Sequence, residues 1–76
     1  MDIEKAFGTV LSKRRKNQKI TQEKLANLCK LDRTYISMLE RGLKQPTLGT
    51  IFKISNVLDL TPSEMLKEVE ETIKNS

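Results

Sequence analysis

The sequence contains no histidine, no tryptophan and a single cysteine, Cys29, among its 76 residues. One cysteine cannot form an internal disulfide, and without histidine partners it cannot complete a structural zinc site. The chain also has no glycine-rich phosphate loop and no clustered carboxylates. These absences argue against an enzyme and against a metal or other cofactor. We predict that Cys29 fills space in the core, in preference to a redox role.

Long apolar runs are absent as well. Runs such as TVL and IF are far too short for a signal peptide or a transmembrane helix, so we expect a cytoplasmic protein with no membrane partner. A chain of this length forms one domain with a small core, and no repeat or low-complexity segment divides residues 1–76.

Charge is distributed unevenly along the chain. Residues 1–50 carry 11 basic and 5 acidic side chains, a net +6, whereas residues 51–76 carry 3 basic and 5 acidic ones, a net −2. A basic half favours a polyanion such as nucleic acid or an acidic membrane surface. Charged surfaces that only keep a small domain in solution are the alternative, because they are common.

Five helix signatures follow one another, and no β pattern competes with them. Each begins at a residue suited to cap a helix N-terminus, and these caps are Asp2, Thr21, Asp32, Thr47 and Thr61. Pro62 and Glu64 predict a capping box at the last helix. Only Lys30 and Leu31 separate the second helix from the cap of the third, and Gly42 ends the third. The pattern predicts a compact all-α domain of five helices.

The third predicted helix has two different faces. At about 100° per residue, one side is apolar and comprises Tyr35, Ile36 and Leu39. The opposite side offers short hydroxyls, a thioether and guanidinium groups, from Arg33, Thr34, Ser37, Met38 and Arg41. A merely solvated face would show the same periodicity, but Glu and Lys, which usually dominate such faces, are absent here. Because arginine forks match guanine O6 and N7 and threonine suits thymine methyls, this face can bind DNA bases.

The stretch TQEKLANLCKLDRTYISMLERG followed by QPTLGTIFKISNVLDLT resembles the Cro and phage-repressor class of helix-turn-helix regulators, which is XRE-like. The resemblance covers about residues 10–66, and its pieces are specific in combination and order. It implies a lambda-repressor-like DNA-binding domain with its helix-turn-helix at about residues 21–41. Within the class, LDRTYIS is similar to the controller proteins of restriction-modification systems, which are small dimers that regulate their own operons.

The resemblance also implies roles for individual residues. Gln22, at the start of the second helix, would contact a DNA phosphate, because a helix N-terminus suits an anion. The side chains implied at the major-groove bases are Arg33, Thr34, Ser37 and Met38. Those implied at the sugar-phosphate backbone, beside Gln22, are Tyr35, Arg41 and Lys44. Phosphate contacts position a protein on DNA, and base contacts specify the sequence.

Arg15 and Glu40 occupy positions that form a structural ion pair in phage repressors of this class, bracing the first helix against the third. Because an unpaired acid so close to DNA would repel phosphate, a partner for Glu40 is expected. The chain departs from the class at Lys19 and Lys30, where many members have glycine. A left-handed lysine costs about 1 kcal/mol relative to glycine, and Asn17 is an alternative left-handed residue at the end of the first helix.

The last 18 residues contain apolar side chains that one small chain has little room to cover. A chain of this size contacts about 4 to 6 base pairs, whereas a twofold dimer contacts two half-sites about 34 Å apart. We therefore expect a homodimer with an interface in about residues 58–74 that includes Leu60, Met65, Val69 and Ile73. The alternative, that such residues complete the core of one chain, is preferred for Leu66 and stays open for Val69 and Ile73.

The leading hypothesis is a transcription regulator that binds double-stranded DNA sequence-specifically, as a homodimer on an inverted-repeat operator, with no small-molecule ligand. A repressor would cover a promoter, and an activator would contact RNA polymerase. The alternatives are a phage-type lysogeny repressor or an antitoxin-like protein whose main partner is another protein, since a fold does not fix a function. A protein-binding variant should show an acidic or apolar face on the third helix, and this face is neither.

Overall fold

Five α-helices make up the computed structural model, which describes residues 1–76. Their bounds are α1 Ile3–Asn17, α2 Gln22–Cys29, α3 Arg33–Glu40, α4 Leu48–Val57 and α5 Pro62–Lys74. Each of the five expected caps accepts a hydrogen bond from a backbone N–H in the first turn of its helix. Thr61 and Glu64 complete the capping box at α5. The predicted all-α, five-helix domain is confirmed, and no helix has the length and apolarity needed to cross a membrane.

Four helices end with the same backbone reversal. The left-handed residues at these ends, with φ between 57° and 74°, are Lys19, Lys30, Gly42 and Asp59. In each case the following residue donates its N–H to a carbonyl five residues earlier, as Leu43 does to Met38 at 2.9 Å. This is the Schellman motif, in which glycine normally avoids a steric penalty. Three of the four positions lack glycine, so local backbone strain is built into the molecule.

The left-handed residue at the end of α1 is Lys19, and the alternative that Asn17 takes this position is wrong. Asn17 is the last helical residue of α1. The chain reverses two residues later, at Lys19, and this places Ile20 against the core, where Ile20 is partly buried. A hydrophobic contact by the residue after the left-handed one commonly accompanies this motif.

All five helices contribute to one core. Its buried members are Ala6, Phe7, Val10, Leu11, Leu25, Ala26, Cys29, Ile36, Leu39, Ile54, Leu58, Met65 and Val69. In the packing, α1 lies against α3 and α5, while α2 lies against α3 and α4. The Cys29 thiol is 3.8 Å from the Lys53 carbonyl oxygen, and burial raises its pKa. Cys29 therefore fills core space as predicted.

The inner side of α5 was predicted incorrectly. Met65 and Val69 are 0% and 3% exposed within a single chain, so their assignment to a dimer interface is wrong. Leu66, which was expected in the core, is instead 40% exposed. The apolar stripe of α5 is too wide for all of its side chains to pack into the core. The row through positions 65 and 69 faces inward, and the neighbouring row, with Leu66 and Ile73, lies at the surface.

Candidate DNA-binding surface

Helix α3 presents a polar side to solvent and packs most of its apolar side into the core. Ile36 and Leu39 are completely buried, whereas Arg33 and Thr34 are exposed. Asp32 fixes the start of the helix, since its carboxylate accepts the Thr34 N–H at 3.0 Å. The first two residues of α3 therefore project from an anchored helix end, which is where helix-turn-helix proteins place base contacts.

The other side chains expected at the DNA lie around these two. Ser37 and Met38 are half-buried on α3, while Arg41 and Lys44 are exposed just beyond it. Arg41 is held weakly, with its Nε 3.4 Å from the Ser37 carbonyl oxygen. The structure thus gathers polar side chains along α3 and places two cations at its C-terminal end. That arrangement suits base contacts in the middle and phosphate contacts at the edge.

A buried ion pair joins α1 to the end of α3. Arg15 Nε donates to Glu40 Oε2 at 2.6 Å and Nη2 donates to Oε1 at 3.0 Å, with side-chain exposures of only 11% and 7%. Arg15 also donates to the Ile20 carbonyl oxygen at 2.9 Å. The hydrogen bond to Glu40 raises the pKa of Arg15, so the guanidinium stays charged. The expected pair between these residues is present, and it fixes α3 against the rest of the fold.

Gln22 belongs to the same network, which the sequence did not reveal. Its Nε2 donates to Glu40 Oε1 at 3.0 Å, linking the first residue of α2 to the last residue of α3. The two residues are 18 positions apart, and no local pattern indicates such a contact. The Gln22 amide is thereby held in one orientation, and its contact with a DNA phosphate stays a prediction.

Three hydroxyl groups connect α3 to the start of α4. Tyr35 Oη lies 3.4 Å from Thr50 Oγ1, and the Thr47 hydroxyl donates to the same Thr50 oxygen at 2.9 Å. Thr50 is 7% exposed, and Tyr35 is half-buried against the core. The sequence pattern predicts roles for Tyr35 and the cap Thr47 but none for Thr50, which looks like an ordinary helix residue. The network fixes the half-buried Tyr35 relative to α4.

The helix-turn-helix family matches residues 11–65, which is most of the chain and includes all of α2 and α3. The chain belongs to the helix-turn-helix family. This confirms the class that the two quoted stretches predicted.

Several relatives are controller proteins. The chain is 39% identical over 71 residues to the control protein C.MunI of Mycoplasma sp, covering 92% of this chain and 96% of that protein. The restriction-modification controller protein C.AhdI of Aeromonas hydrophila superposes with a TM-score of 0.78 at 38% identity, over 80% of this chain and 92% of that one. The controller protein C.Esp1396I, solved as a tetramer with its natural 35 base-pair operator, superposes with a TM-score of 0.85 at 29% identity. That match covers 96% of each chain.

Proposed function

We propose that this protein regulates transcription by binding an inverted-repeat operator sequence-specifically, and that it is the controller protein of a restriction-modification system. The observation that carries the proposal is the exposed polar side of α3. The Arg15–Glu40 pair holds this helix against α1. Similarity to controller proteins along nearly the whole chain supports the biological assignment.

The dimensions of α3 suit the major groove. Eight helical residues span about 12 Å, and the major groove is about 12 Å wide. Arg33 and Thr34 would contact base edges from the first turn of α3, and Ser37 and Met38 would contact them from the next turn. Arg41 and Lys44 would neutralise phosphates beside the groove. A base-contacting helix must hold its side chains within about 0.5 Å of the productive geometry, and a buried ion pair at its end supplies that rigidity.

We place the dimer interface on a surface apolar patch formed by Ile3, Leu48, Phe52 and Leu66. These side chains are 55%, 68%, 56% and 40% exposed. Ile3 and Leu66 line one cavity together with Ile51 of α4. Leu48 and Phe52 share a face of α4 with Ile51, because Ile51 and Phe52 follow Leu48 at the helical spacings i+3 and i+4. Clustered large apolar side chains at this exposure are typical of protein interfaces. The half-buried Leu60 and the exposed Ile73 stay candidates for its edge.

Binding is the whole mechanism in this proposal, with no catalytic step and no cofactor. A dimer covering a promoter would repress, and one beside it would activate through contact with RNA polymerase. Because its ligand is chromosomal or plasmid DNA, the protein would act in the cytoplasm.

Selection from random duplexes with the wild-type protein tests the proposal. We expect a symmetric motif whose half-sites are centred about 34 Å apart. Binding to the recovered duplex should weaken steeply with salt, with a slope of log K on log salt near −5 to −9 for about 6 to 10 phosphate contacts. A protein that recovers no motif, or whose binding does not respond to salt, is not a DNA regulator.

Two substitutions separate the kinds of contact. Arg33→Ala should relax preference at particular base pairs, with a loss of about 1 to 3 kcal/mol on the best site, whereas Lys44→Ala should weaken all duplexes alike and reduce the salt slope by about one. Lys44 is the better control than Gln22, whose amide also supports Glu40. If Arg33→Ala weakened every single-base variant of the site equally, α3 would not be the base-contacting element.

A further inference from the structure

We infer that Thr50 is a positioning residue for DNA binding: its buried hydroxyl donates to Tyr35 Oη and thereby directs the Tyr35 phenolic proton outward to a DNA phosphate. The inference rests on the proposed function, because it supplies one backbone contact of the same surface. Its new element is a residue of α4 that itself touches no DNA.

The direction of the hydroxyl chain follows from the contact between Thr47 and Thr50, in which Thr47 is the donor. The Thr47 oxygen accepts the Thr50 backbone N–H at 3.1 Å, and the Thr47 hydroxyl donates its own proton to Thr50 Oγ1 at 2.9 Å. Thr50 Oγ1 is thus already an acceptor. Its own proton needs an acceptor within the protein, because the residue is 7% exposed. Tyr35 Oη, 3.4 Å away, is the oxygen that the structure places in reach.

The opposite direction would leave a buried proton without a partner. With Thr47 already donating to Thr50, a second donation from Tyr35 would leave the Thr50 hydroxyl hydrogen without an acceptor in reach. An unsatisfied buried donor is costly, and native structures avoid it. The favoured order is therefore Thr47 to Thr50 to Tyr35, each hydroxyl donating to the next.

This order leaves the phenolic proton of Tyr35 free for an acceptor outside the protein. Hydrogen bonds in a chain polarise one another, so an oxygen that accepts from Thr50 becomes a better donor. Tyr35 follows Arg33 and Thr34 directly, and its hydroxyl network includes Thr47, which follows the loop that carries Lys44. At such a position the acceptor is a phosphate oxygen, since phosphates are the commonest hydrogen-bond acceptors that DNA offers to proteins.

A double-mutant cycle on the selected duplex tests the inference. Thr50→Val removes the hydroxyl at similar volume, and it should weaken binding by about 3-fold, because the phenolic proton is no longer directed at the phosphate. Thr50→Ser keeps the oxygen and should bind as wild type. In a Tyr35→Phe background, which has no phenolic proton to direct, Thr50→Val should cause no further loss. A loss that persists in that background would assign Thr50 to packing alone and overturn the inference.

Single uncharged methylphosphonate linkages identify the phosphate. At one linkage per half-site, wild type and Thr50→Val should bind with equal affinity, while at all other linkages the difference between them should remain. Circular dichroism checks that each variant is folded. If wild type binds the duplex but Thr50→Val binds equally well at every linkage, the inference fails and the proposed function stands. If wild type binds no duplex, both fail.

Discussion

Gly8 of α1 lies directly against the backbone of Glu40 at the end of α3. A Cβ at position 8 would be 2.5 Å from the carbonyl oxygens of both Leu39 and Glu40. Real Cβ atoms do not approach backbone oxygen so closely, so any larger residue must push the two helices apart. The same helix pair is joined nearby by the Arg15–Glu40 ion pair. Close backbone contact and ion pairing together set the position of α3.

Gly8→Ala should therefore lower the free energy of unfolding, by about 1 to 3 kcal/mol, because overpacking outweighs the better helix propensity of alanine. Gly49→Ala is the matched control, since a Cβ there would meet only Thr47 Oγ1 at 3.9 Å. It should be neutral or slightly stabilising. Urea unfolding measures both variants. Equal effects of the two substitutions would mean that the α1–α3 contact can relax without loss.

Local signals in the sequence were sufficient for the helices but not for the contacts between them. Caps such as Asp32 and Thr61 mark helix starts because the hydrogen bonds that they form are local. Gly8 gave no signal, since the oxygen that excludes a side chain there belongs to a residue 32 positions away. The Arg15–Glu40 pair spans 25 positions and became predictable only through resemblance to a known class.

Lys30 occupies the left-handed position in the turn between α2 and α3, with φ of 57°. Lys30→Gly should raise the free energy of unfolding by about 0.5 to 1 kcal/mol, because glycine has no Cβ to clash in this region. Lys24→Gly, within α2, should lower it by a similar amount. Chemical denaturation of the two variants distinguishes them. A destabilised Lys30→Gly protein would show that the lysine side chain contributes more than its backbone strain removes.

Arg14 and Glu68 join α1 to α5, with Arg14 Nε 3.0 Å from Glu68 Oε1. This hydrogen bond holds the pKa of Glu68 below its ordinary value of 4.5. A carboxyl with a lowered folded pKa stabilises the fold above its unfolded pKa, and this contribution is lost as the pH falls through the folded value. Glu68→Gln should therefore lower stability at neutral pH by about 0.2 to 1 kcal/mol, the range for a partly exposed pair.

The loss should shrink as the pH falls below about 5 and vanish once Glu68 is protonated in both states. Urea unfolding of wild type and variant across this range measures the difference. Glu70→Gln provides the control, because Glu70 is exposed and forms no ion pair. A Glu68→Gln deficit of constant size at every pH would show that the effect is not ionic.

Helix α5 shows why periodicity alone misplaced the dimer interface. Positions 65, 66, 69 and 73 all belong to one broad apolar stripe in the sequence, and the pattern cannot tell which edge of it turns inward. The packing of α5 against both α1 and α4 decides this, by burying Met65 and Val69 and leaving Leu66 outside. The surface apolar patch also draws on α4 and on Ile3, which the stripe does not include.

Charge substitutions on the two edges of α5 should consequently have different effects. Leu66→Asp would place two like charges close together across a twofold axis, at a cost of several kcal/mol to the dimer, while leaving the core intact. It should yield a folded monomer that loses most of its affinity for the full operator, because the second half-site no longer binds as a tethered neighbour. Val69→Asp buries the charge within one chain and should unfold it.

Sedimentation equilibrium and far-UV circular dichroism measure assembly and folding separately. Leu28→Asp is the matched control, because Leu28 is a similarly exposed leucine, 49%, on α2, which contributes no residue to the patch. It should remain a folded dimer with wild-type assembly. A Leu66→Asp protein that stays dimeric would place the interface on another surface, and one that unfolds would show that α5 needs Leu66 for its own packing. If Leu66→Asp is a folded monomer and Val69→Asp is unfolded, then Leu66 serves assembly and Val69 serves folding, although both lie on α5. Their exposed fractions of 40% and 3% indicate this division.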